Sequence, residues 1–316
     1  MLIALDWGTS NLRAYLMSAE GAVVEARHAA RGILHLPAPA DAGGFEQAFA
    51  EIAGDWVRSH ATLSVVAGGM VGSAQGWIEA PYARAPADVR TLAAHGVRTP
   101  SGLGPEVLIA PGVIFEPPDR EPDVMRGEEI KIAGAAAAEP SLGERAWFVL
   151  PGTHSKWALV QEQCIVSFST YMTGELYAVL REHSILGRLM STEPADAGAA
   201  ALGFEQGLEA ARGSSPGDLG HQLFAVRTLG LTGRLPRNAL AEYLSGLLVG
   251  HELVSALAVS RTIRDAGAPI VLLGDAALCR RYARALKAYG VAAGAQLDDT
   301  APRGLWEFAR AAGVRV

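Results

Sequence analysis

The chain has 316 residues, half of them hydrophobic and 19% charged, which is the composition of a globular protein with room for two domains. Its formal net charge is −6, from 27 basic and 33 acidic side chains, and no basic run could follow a nucleic-acid backbone. These figures exclude a disordered chain and argue against nucleic-acid binding.

Cysteine use and apolar runs bear on the compartment. Only Cys164 and Cys279 occur, too few for a disulfide framework and compatible with a reducing compartment. The apolar run at residues 2–5 is too short for a signal peptide, and no stretch approaches the ~18 apolar residues of a membrane span. We therefore expect a cytoplasmic protein without membrane contacts.

The first half of the chain alternates strand patterns with helical patterns. Residues 2–17 predict two strands around a polar turn, and apolar residues at helical spacing predict a helix over 45–60. The buried strand 63–69 ends in glycines, and the loop 70–82 has too many special residues to be a linker. Residues 84–122 predict short strands and proline-rich turns. The alternation and the 36 glycines indicate an α/β protein.

The second half repeats this alternation. A turn at Gly127 precedes a helix whose first turn carries Glu128 and Glu129, where the helix dipole favours carboxylates. Residues 147–170 again predict a strand, a glycine turn and a second strand. The remaining predictions are helices at about 174–186, 193–212, 219–230 and 240–260, a strand at 269–275 and a closing helix at 305–313.

The two halves share one local pattern, an apolar strand, a Gly-Thr turn and a second strand. The turns Gly8-Thr9 and Gly152-Thr153 lie 144 residues apart, close to half the chain. We interpret the repeat as duplication of one α/β unit. The predicted domains are 1–126 and 127–316, with the option that the last helix returns to the first domain.

Polar side chains in the first turn suit a metal-bound nucleotide. Glycine lets backbone N–H groups approach phosphate oxygens, and Thr9, Ser10 and Asn11 add side-chain donors beside Gly8. The Asp6 carboxylate would repel a phosphate unless Mg²⁺ lies between them. For this turn taken alone, an ordinary hairpin with a capping Asp is the alternative.

The second turn offers a similar set of groups, from Gly152 and Thr153 to Ser155. Lys156 could neutralise phosphate charge, and His154 could donate a hydrogen bond to it. A polar hairpin is again the alternative. Since no GxxxxGK[ST] stretch occurs and no GxGxxG follows the first strand, P-loop and Rossmann interpretations are weak.

The pair of turns resembles the phosphate loops of the actin, hexokinase and heat-shock chaperone ATPase superfamily. There the first loop is a D-x-G-T-[ST] hairpin, matched here by DWGTS at 6–10, and NLR at 11–13 continues it as in many sugar kinases. The second loop is matched by 152–155, and the adenosine-contacting glycine pair is matched in part by Gly274-Asp275. The resemblance implies a two-domain actin-like ATPase fold, with duplicated ribonuclease-H-like halves and a cleft between them, and ATP with Mg²⁺ as cofactors.

Five separated blocks give a narrower resemblance, to the 2-dehydro-3-deoxygalactonokinase family. They agree in order with that family and lie at 68–82, 123–132, 150–158, 171–186 and 224–236. The family transfers the γ-phosphate of ATP to the 6-hydroxyl of 2-keto-3-deoxy-D-galactonate in galactonate catabolism. The resemblance therefore implies a carbohydrate kinase whose partner is a small sugar acid. The oligomeric state stays open, with a homodimer as one option.

The expected chemistry assigns roles to the two turns. Asp6 is the candidate for positioning Mg²⁺, and Lys156 or Arg13 would supply positive charge. The candidate nucleotide-binding residues are Gly8, Thr9, Ser10, Asn11, Arg13, Gly152, Thr153, His154, Ser155, Lys156, Gly274 and Asp275.

An acidic residue is needed to take the proton of the attacking hydroxyl. In related sugar kinases it stands at the start of the helix before the second phosphate loop, and here that helix begins after Gly127. The usual residue there is Asp, so this sequence departs from the pattern. Glu128 is our first choice, Asp123 the second and Glu129 the third. As an alternative, these acids only cap the helix.

The loop at 68–82 is the expected sugar-acid pocket, because it follows a strand end, where α/β proteins place ligand groups. Ser73, Gln75 and Glu79 can bond hydroxyl groups. Trp77 would cover an apolar face of the substrate or pack into the core.

A substrate carboxylate also needs a cation, and Arg13, Arg126 and Arg84 are candidates between which the sequence does not choose. Thr173 and Glu175 are expected on a second side of the pocket.

Three other functions compete with this one. The chain could phosphorylate another 2-keto-3-deoxy acid, such as the gluconate epimer, because one sequence does not reveal pocket stereochemistry. It could be a nucleotide switch or polymerising protein of the same superfamily, although the loop at 68–82 argues against that. It could also be a phosphohydrolase, which would release ADP with no sugar acid present.

Overall fold

A computed structural model describes residues 1–60, 62–193, 196–215, 217–264 and 267–315. Its strands, in chain order, are β1 (Leu2–Trp7), β2 (Leu12–Met17), β3 (Val23–Ala29), β4 (Ser64–Gly69), β5 (Tyr82–Arg84), β6 (Val97–Pro100), β7 (Glu106–Ile109), β8 (Gly112–Phe115), β9 (Asp123–Met125), β10 (Arg145–Leu150), β11 (Ser155–Gln161), β12 (Cys164–Tyr171), β13 (Ile270–Leu273) and β14 (Ala295–Leu297). Its α-helices are α1 (Gly44–Ser59), α2 (Val89–Ala94), α3 (Glu128–Ala138), α4 (Pro140–Glu144), α5 (Thr173–His183), α6 (Ala197–Arg212), α7 (Leu219–Leu231), α8 (Leu240–Arg264), α9 (Ala276–Ala288) and α10 (Ala301–Ala311).

Most of the elements predicted from the sequence are confirmed. The hairpin of the first half is β1 and β2, the strand–turn–strand of the second half is β10 and β11, and α3 begins at Glu128 as expected. The helix predicted over 193–212 is α6, which starts at Ala197 because the Asp196 side chain caps it by accepting from Ala199 N–H. Residues 194 and 195 of that prediction lie outside the described residues.

Several elements differ from the prediction: α4 and β14 were not predicted, and the segment predicted as two strands within 147–170 forms the three strands β10, β11 and β12. For three other differences the reason is identifiable. β3 was not predicted, because it is a largely exposed edge strand without apolar alternation. α2 was missed within the segment predicted as strands and turns; its signal is the N-cap Asp88, which accepts from Thr91 N–H at 2.8 Å. α10 starts earlier than expected, because Pro302 in its first turn suits a helix start.

The first sheet has the strand order β3-β2-β1-β4-β7-β6. β1 is antiparallel to β2 and parallel to β4, with Trp7 opposite Gly69. Because parallel strands end at the same edge, the turn after Trp7 and the loop after Gly69 leave the sheet side by side. The sheet packs on α1 through a core that includes Phe45, Phe49 and Trp56.

Two further sheets complete the β structure of the described residues. One has the strand order β12-β11-β10-β13-β14, and the other has the order β5-β8-β9. The predicted α/β class is thereby confirmed. None of the described helices combines the length and apolar character needed to cross a membrane.

The chain divides into two compact units. Unit 1 comprises Met1–Phe148, Ala158–Phe168 and Leu297–Val316, and unit 2 comprises Val149–Trp157 and Ser169–Gln296. The functional domain boundary expected near residue 126 stays a prediction.

Candidate active site

The first glycine turn, in unit 1, is closed by its own backbone and backed by a second segment. Gly8 N–H donates to Asn11 O at 2.9 Å, while residues 32–34 donate three backbone hydrogen bonds to the carbonyls of residues 8–10 at 3.0–3.1 Å. This support leaves the side chains of Thr9 and Ser10 exposed. They are therefore free to face a ligand.

Asp6 lies at the end of β1 between two cations. Its carboxylate is 3.5 Å from the Arg13 guanidinium and 3.8 Å from the Lys131 ammonium, and its side chain is 15% exposed. Lys131 follows Glu128 by three residues, so both lie on one face of α3.

The residues around Asp6 fit a magnesium ion that is shared with phosphate. Among the described residues, no group of three or more His, Cys, Asp or Glu side chains could hold a metal ion. Mg²⁺ commonly takes only one or two carboxylates and completes its shell with waters and phosphate oxygens. A single accessible carboxylate is therefore a sufficient protein contribution.

The start of α3 lies against the end of β4 because two glycines meet there. Gly127 has a φ of 105°, and a Cβ on it would lie 3.2 Å from Cα of Gly69. The N–H groups before the helix bind its first two acids: Arg126 N–H donates to Glu128 at 3.1 Å and Gly127 N–H donates to Glu129 at 2.7 Å. Both carboxylates are thereby held at the helix N-terminus.

The three candidate bases differ in their surroundings. Glu129 is fully buried, and this burial, together with the charge of Glu128, raises its pKa to about 8. It is therefore mostly protonated at neutral pH and poorly suited to accept a proton. Glu128 is half-buried, and Asp123 accepts from the N–H of Val124 at 2.8 Å.

Arg126 and Ser73 carry polar atoms that have no partner in the part of the chain that the structure describes. Arg126 Nη2 donates to Ala80 O at 2.9 Å, and its guanidinium lies 4.4 Å over the ring of Tyr82. Its Nε and Nη1 atoms, and Oγ of Ser73, are buried and have no hydrogen-bond partner among the described residues. A Cβ on Gly72 would lie 3.0 Å from Arg126 Nη1, so the guanidinium lies against the loop that carries Ser73.

Other predicted side chains of this loop lie elsewhere. Trp77 stacks on Phe45 at 5.8 Å and donates from Nε1 to Glu46 at 3.0 Å, so it packs with the aromatic core of unit 1. Gln75 and Glu79 are exposed. The substrate contacts expected of these three residues stay predictions.

The second glycine turn, in unit 2, is backed by the start of α5. Glu175 N–H donates to Thr153 O at 3.0 Å, and its carboxylate pairs with His154. A Cβ on Gly174 would lie 2.4 Å from Gly152 O, which explains the glycine at that close approach. Thr153 and His154 are exposed.

A pocket opens beside this turn within unit 2, with a cavity volume of about 190 Å³. It is lined by Gly152, Thr173, Gly174, Tyr177, Ser245, Leu248, Val249, Leu278, Arg281 and Tyr282. Asp275 caps α9 by accepting from Ala277 and Leu278 N–H at 3.0 and 2.9 Å, which places Leu278 at the pocket.

Comparison with known proteins gives one consistent result. The family model described as 2-keto-3-deoxy-galactonokinase matches residues 6–308. The chain belongs to this family. Among its relatives, 2-dehydro-3-deoxygalactonokinase of Escherichia coli strain K12 is 38% identical over 302 residues, covering 95% of this chain and 94% of the relative. A probable 2-dehydro-3-deoxygalactonokinase of Rhizobium meliloti strain 1021 is 35% identical over 311 residues, covering 98% and 96%.

A solved structure supports the same assignment. The crystal structure of a putative 2-dehydro-3-deoxygalactonokinase from Sinorhizobium meliloti has a TM-score of 0.84, with 31% identity and coverage of 99% of this chain and 98% of that one. The narrower resemblance found in the sequence is thereby confirmed, as is the carbohydrate-kinase class expected for it.

In unit 1 of this member of the kinase family, several predicted residues lie together. Asp6 meets Arg13, and Arg126 meets Glu128 and lies against the Ser73 loop. In unit 2, Thr173 and Glu175 lie at the second turn. Arg84 is 77% exposed and pairs with Glu116, and Arg13 is 47% exposed and pairs with Asp6, so of the three arginine candidates for the substrate carboxylate Arg126 is the one that is not exposed.

The structure also adds residues that the sequence analysis did not single out. Lys131 was signalled only by its helical spacing from Glu128. Tyr282 and Arg281 line the pocket, and no short motif marks them. Glu252 was visible only as a charge that interrupts the apolar pattern of α8, in line with Leu244 and Leu248.

Proposed function

We propose that this chain phosphorylates the 6-hydroxyl of 2-dehydro-3-deoxy-D-galactonate with ATP, giving the 6-phosphate and ADP, in D-galactonate catabolism in the cytoplasm. Two relatives named as 2-dehydro-3-deoxygalactonokinase, one of them as probable, align over nearly the whole chain. Within the structure, the observation that carries the proposal is Arg126. It offers buried, unpaired donors for a substrate carboxylate next to a candidate base.

The side chain and the backbone of Arg126 lie at the two places where we propose the two ends of the substrate. Its guanidinium binds Ala80 O, whereas its backbone N–H binds the Glu128 carboxylate. A sugar acid has its carboxylate at one end of the carbon chain and its 6-hydroxyl at the other. We assign the carboxylate to Arg126 with Ser73, and the hydroxyl to Glu128.

Glu128 is proposed as the base that takes the hydroxyl proton during transfer. Its carboxylate is held by Arg126 N–H, while the neighbouring Glu129 is held protonated by burial. A neutral Glu129 keeps a second negative charge away from Glu128 and from the incoming phosphate. Asp123 remains the second candidate.

The two glycine turns are proposed to hold phosphate oxygens. Gly8, Thr9, Ser10 and Asn11 would do so in unit 1, with Arg13 and Lys131 adding positive charge. Asp6 would hold Mg²⁺, which when bound offsets phosphate charge.

Gly152, Thr153, His154 and Lys156 would bind phosphate oxygens in unit 2. The pocket beside them, with Leu278 after Gly274-Asp275, is proposed for the adenosine part of ATP. Glu175 then shapes the second turn, since its contacts are with it, and Thr173 lines the pocket beside it.

The test is ADP release with Mg-ATP and purified protein, measured with the galactonate, with its gluconate epimer and with no sugar acid. We expect fast release with the galactonate alone. Preference for the gluconate would retain the kinase and change the substrate. Equal release in all three reactions would contradict the proposal and identify a phosphohydrolase.

A further inference from the structure

A buried acid in unit 2 joins four elements behind the proposed nucleotide pocket. Glu252 of α8 is 3% exposed, and both of its carboxylate oxygens accept hydrogen bonds. Oε1 accepts from Trp157 Nε1 at 2.8 Å, and Oε2 accepts from the hydroxyls of Thr173 and of Tyr282, the latter at 2.7 Å. The donors come from β11, α5 and α9.

These hydrogen bonds continue through Tyr282 to the second glycine turn, and the donor of each bond can be assigned. A tyrosine has one O–H, and that of Tyr282 is donated to Glu252. The 2.8 Å contact between Ser155 and Tyr282 is therefore a bond in which Ser155 donates. Ser155, the last residue of the turn, is fully buried. Its hydroxyl is committed to this chain and does not donate to a ligand.

A hydroxyl at the start of α5 is occupied in the same way. The Thr173 hydroxyl donates to Glu252, so the side of Thr173 that faces the pocket offers no O–H. Ligand phosphates at this turn are left with the side chains of Thr153, His154 and Lys156 and with backbone N–H groups.

Only an acceptor with two oxygens satisfies this arrangement. Burial raises the pKa of Glu252, and its three donors oppose that rise by favouring the carboxylate. A glutamine at this position would keep the shape but turn an NH₂ group toward one or more of the donors. The walls of the pocket formed by Thr173 and Tyr282 would then have to move.

We propose that Glu252 is a positioning residue for nucleotide binding, holding Thr173, Tyr282 and, through Tyr282, Ser155 in the one arrangement that shapes the pocket and the second turn. The proposal rests on the proposed function in one respect, namely that this pocket takes the adenosine part of ATP. Glu252 does not touch the reacting atoms, because its oxygens are buried and occupied.

The test compares Glu252→Gln and Tyr282→Phe with wild type. ADP affinity is measured by calorimetry, and KM for ATP, KM for the sugar acid, kcat and Tm are measured alongside. We expect Glu252→Gln to weaken ADP binding and raise KM for ATP by about tenfold or more. Tyr282→Phe should do so by roughly threefold, since it removes both bonds of the Tyr282 hydroxyl but leaves those from Trp157 and Thr173 to Glu252 in place. KM for the sugar acid should stay within about twofold in both variants.

Tyr289→Phe is the matched control. Tyr289 directly follows α9, and its hydroxyl donates to Leu208 O at 2.9 Å, away from the pocket lining. We expect its KM for ATP to equal that of wild type. If Glu252→Gln does not fold, Tyr282→Phe decides the question against this control.

The outcomes separate the two proposals. Wild-type protein that shows sugar-dependent turnover and binds ADP, with unchanged ADP affinity in both variants, would overturn the role of Glu252 alone. A rise in both KM values of similar size, together with a lower Tm, would also overturn it, because a merely structural residue would produce that result. Wild-type protein that binds no ADP would remove the pocket assignment and this inference with it.

Discussion

Each unit of the chain contains a buried glutamate next to a glycine turn or loop, and the two differ in how their oxygens are satisfied. Glu252 in unit 2 is bonded at both oxygens by three side-chain donors. Glu129 in unit 1 is fully buried, yet one of its oxygens, Oε1, has no partner among the described residues.

The neighbours of the two glutamates differ in the same way. Near Glu129, atoms of the Arg126 guanidinium and the Ser73 hydroxyl are also buried without a hydrogen-bond partner among the described residues. In the Glu252 network, by contrast, the hydroxyls of Ser155, Thr173 and Tyr282 are all hydrogen-bonded. Buried polar atoms without partners are rare in folded proteins and call for an explanation. In the proposed function, the unpaired groups near Glu129 are kept for a substrate, while the groups around Glu252 hold the shape of unit 2.

The largest expected effect belongs to Glu128, the charged neighbour of Glu129. Glu128→Gln keeps the hydrogen bond from Arg126 N–H but removes the base, so kcat should fall by about 10²–10⁴-fold with Tm little changed. Steady-state kinetics and thermal unfolding measure the two effects. Glu139→Gln, at the exposed far end of α3, is the control and should retain wild-type kcat. Normal turnover in folded Glu128→Gln would transfer the role of base to Asp123.

A smaller effect is expected at Arg126. Arg126→Gln removes the unpaired charged donors, and a charged hydrogen bond contributes about 1.5–3 kcal/mol, so KM for the sugar acid should rise by about 10–100-fold. KM for ATP should change little. Arg98→Gln, an exposed arginine on β6, serves as the charge-matched control. An unchanged KM in Arg126→Gln would leave Arg13 or Arg84 to bind the carboxylate.

Stability as a function of pH distinguishes Glu129 from a group that does not titrate. Its pKa is about 8 in the folded chain and near 4.5 when unfolded, so between these values the unfolded chain loses a proton that the folded chain keeps. Its stabilising contribution is complete below pH 4.5 and is lost as pH rises to 8. Relative to Glu129→Gln, wild type should lose up to about 1.4 kcal/mol per pH unit in this window. Urea unfolding at pH 5, 6, 7 and 8 measures it, and parallel curves for the two proteins would contradict the raised pKa.

The sequence predicted what short-range patterns encode. The hairpin at β1–β2, the turn at Gly152 and the acids at the start of α3 follow from apolar alternation, glycine and helix-capping rules, and the structure confirms these elements. The family followed from five motif blocks, and the family match confirms it.

Long-range relations could not be predicted in the same way. Glu252 meets Trp157, which is 95 positions away in the sequence, so only the folded chain brings the network together. Trp77 fitted a substrate contact and core packing equally well in the sequence, and its partner Glu46 is 31 positions away. Whether a polar atom lacks a partner, as Arg126 Nη1 does among the described residues, depends on every neighbour in space and has no local pattern.

The smallest expected effect separates function from stability at two buried serines of unit 1. Ser73 Oγ has no partner among the described residues, so Ser73→Ala should leave the free energy of unfolding unchanged or slightly raised, while KM for the sugar acid rises by about 2–10-fold. Ser101 is also buried but accepts from Leu103 N–H at 3.1 Å, so Ser101→Ala should lower stability by about 1 kcal/mol and leave KM unchanged. Urea unfolding and sugar-acid titrations of both variants give the comparison. If Ser73→Ala instead lost stability with KM unchanged, Ser73 would belong to the fold, and the unpaired atoms of unit 1 would lose their interpretation as a substrate site.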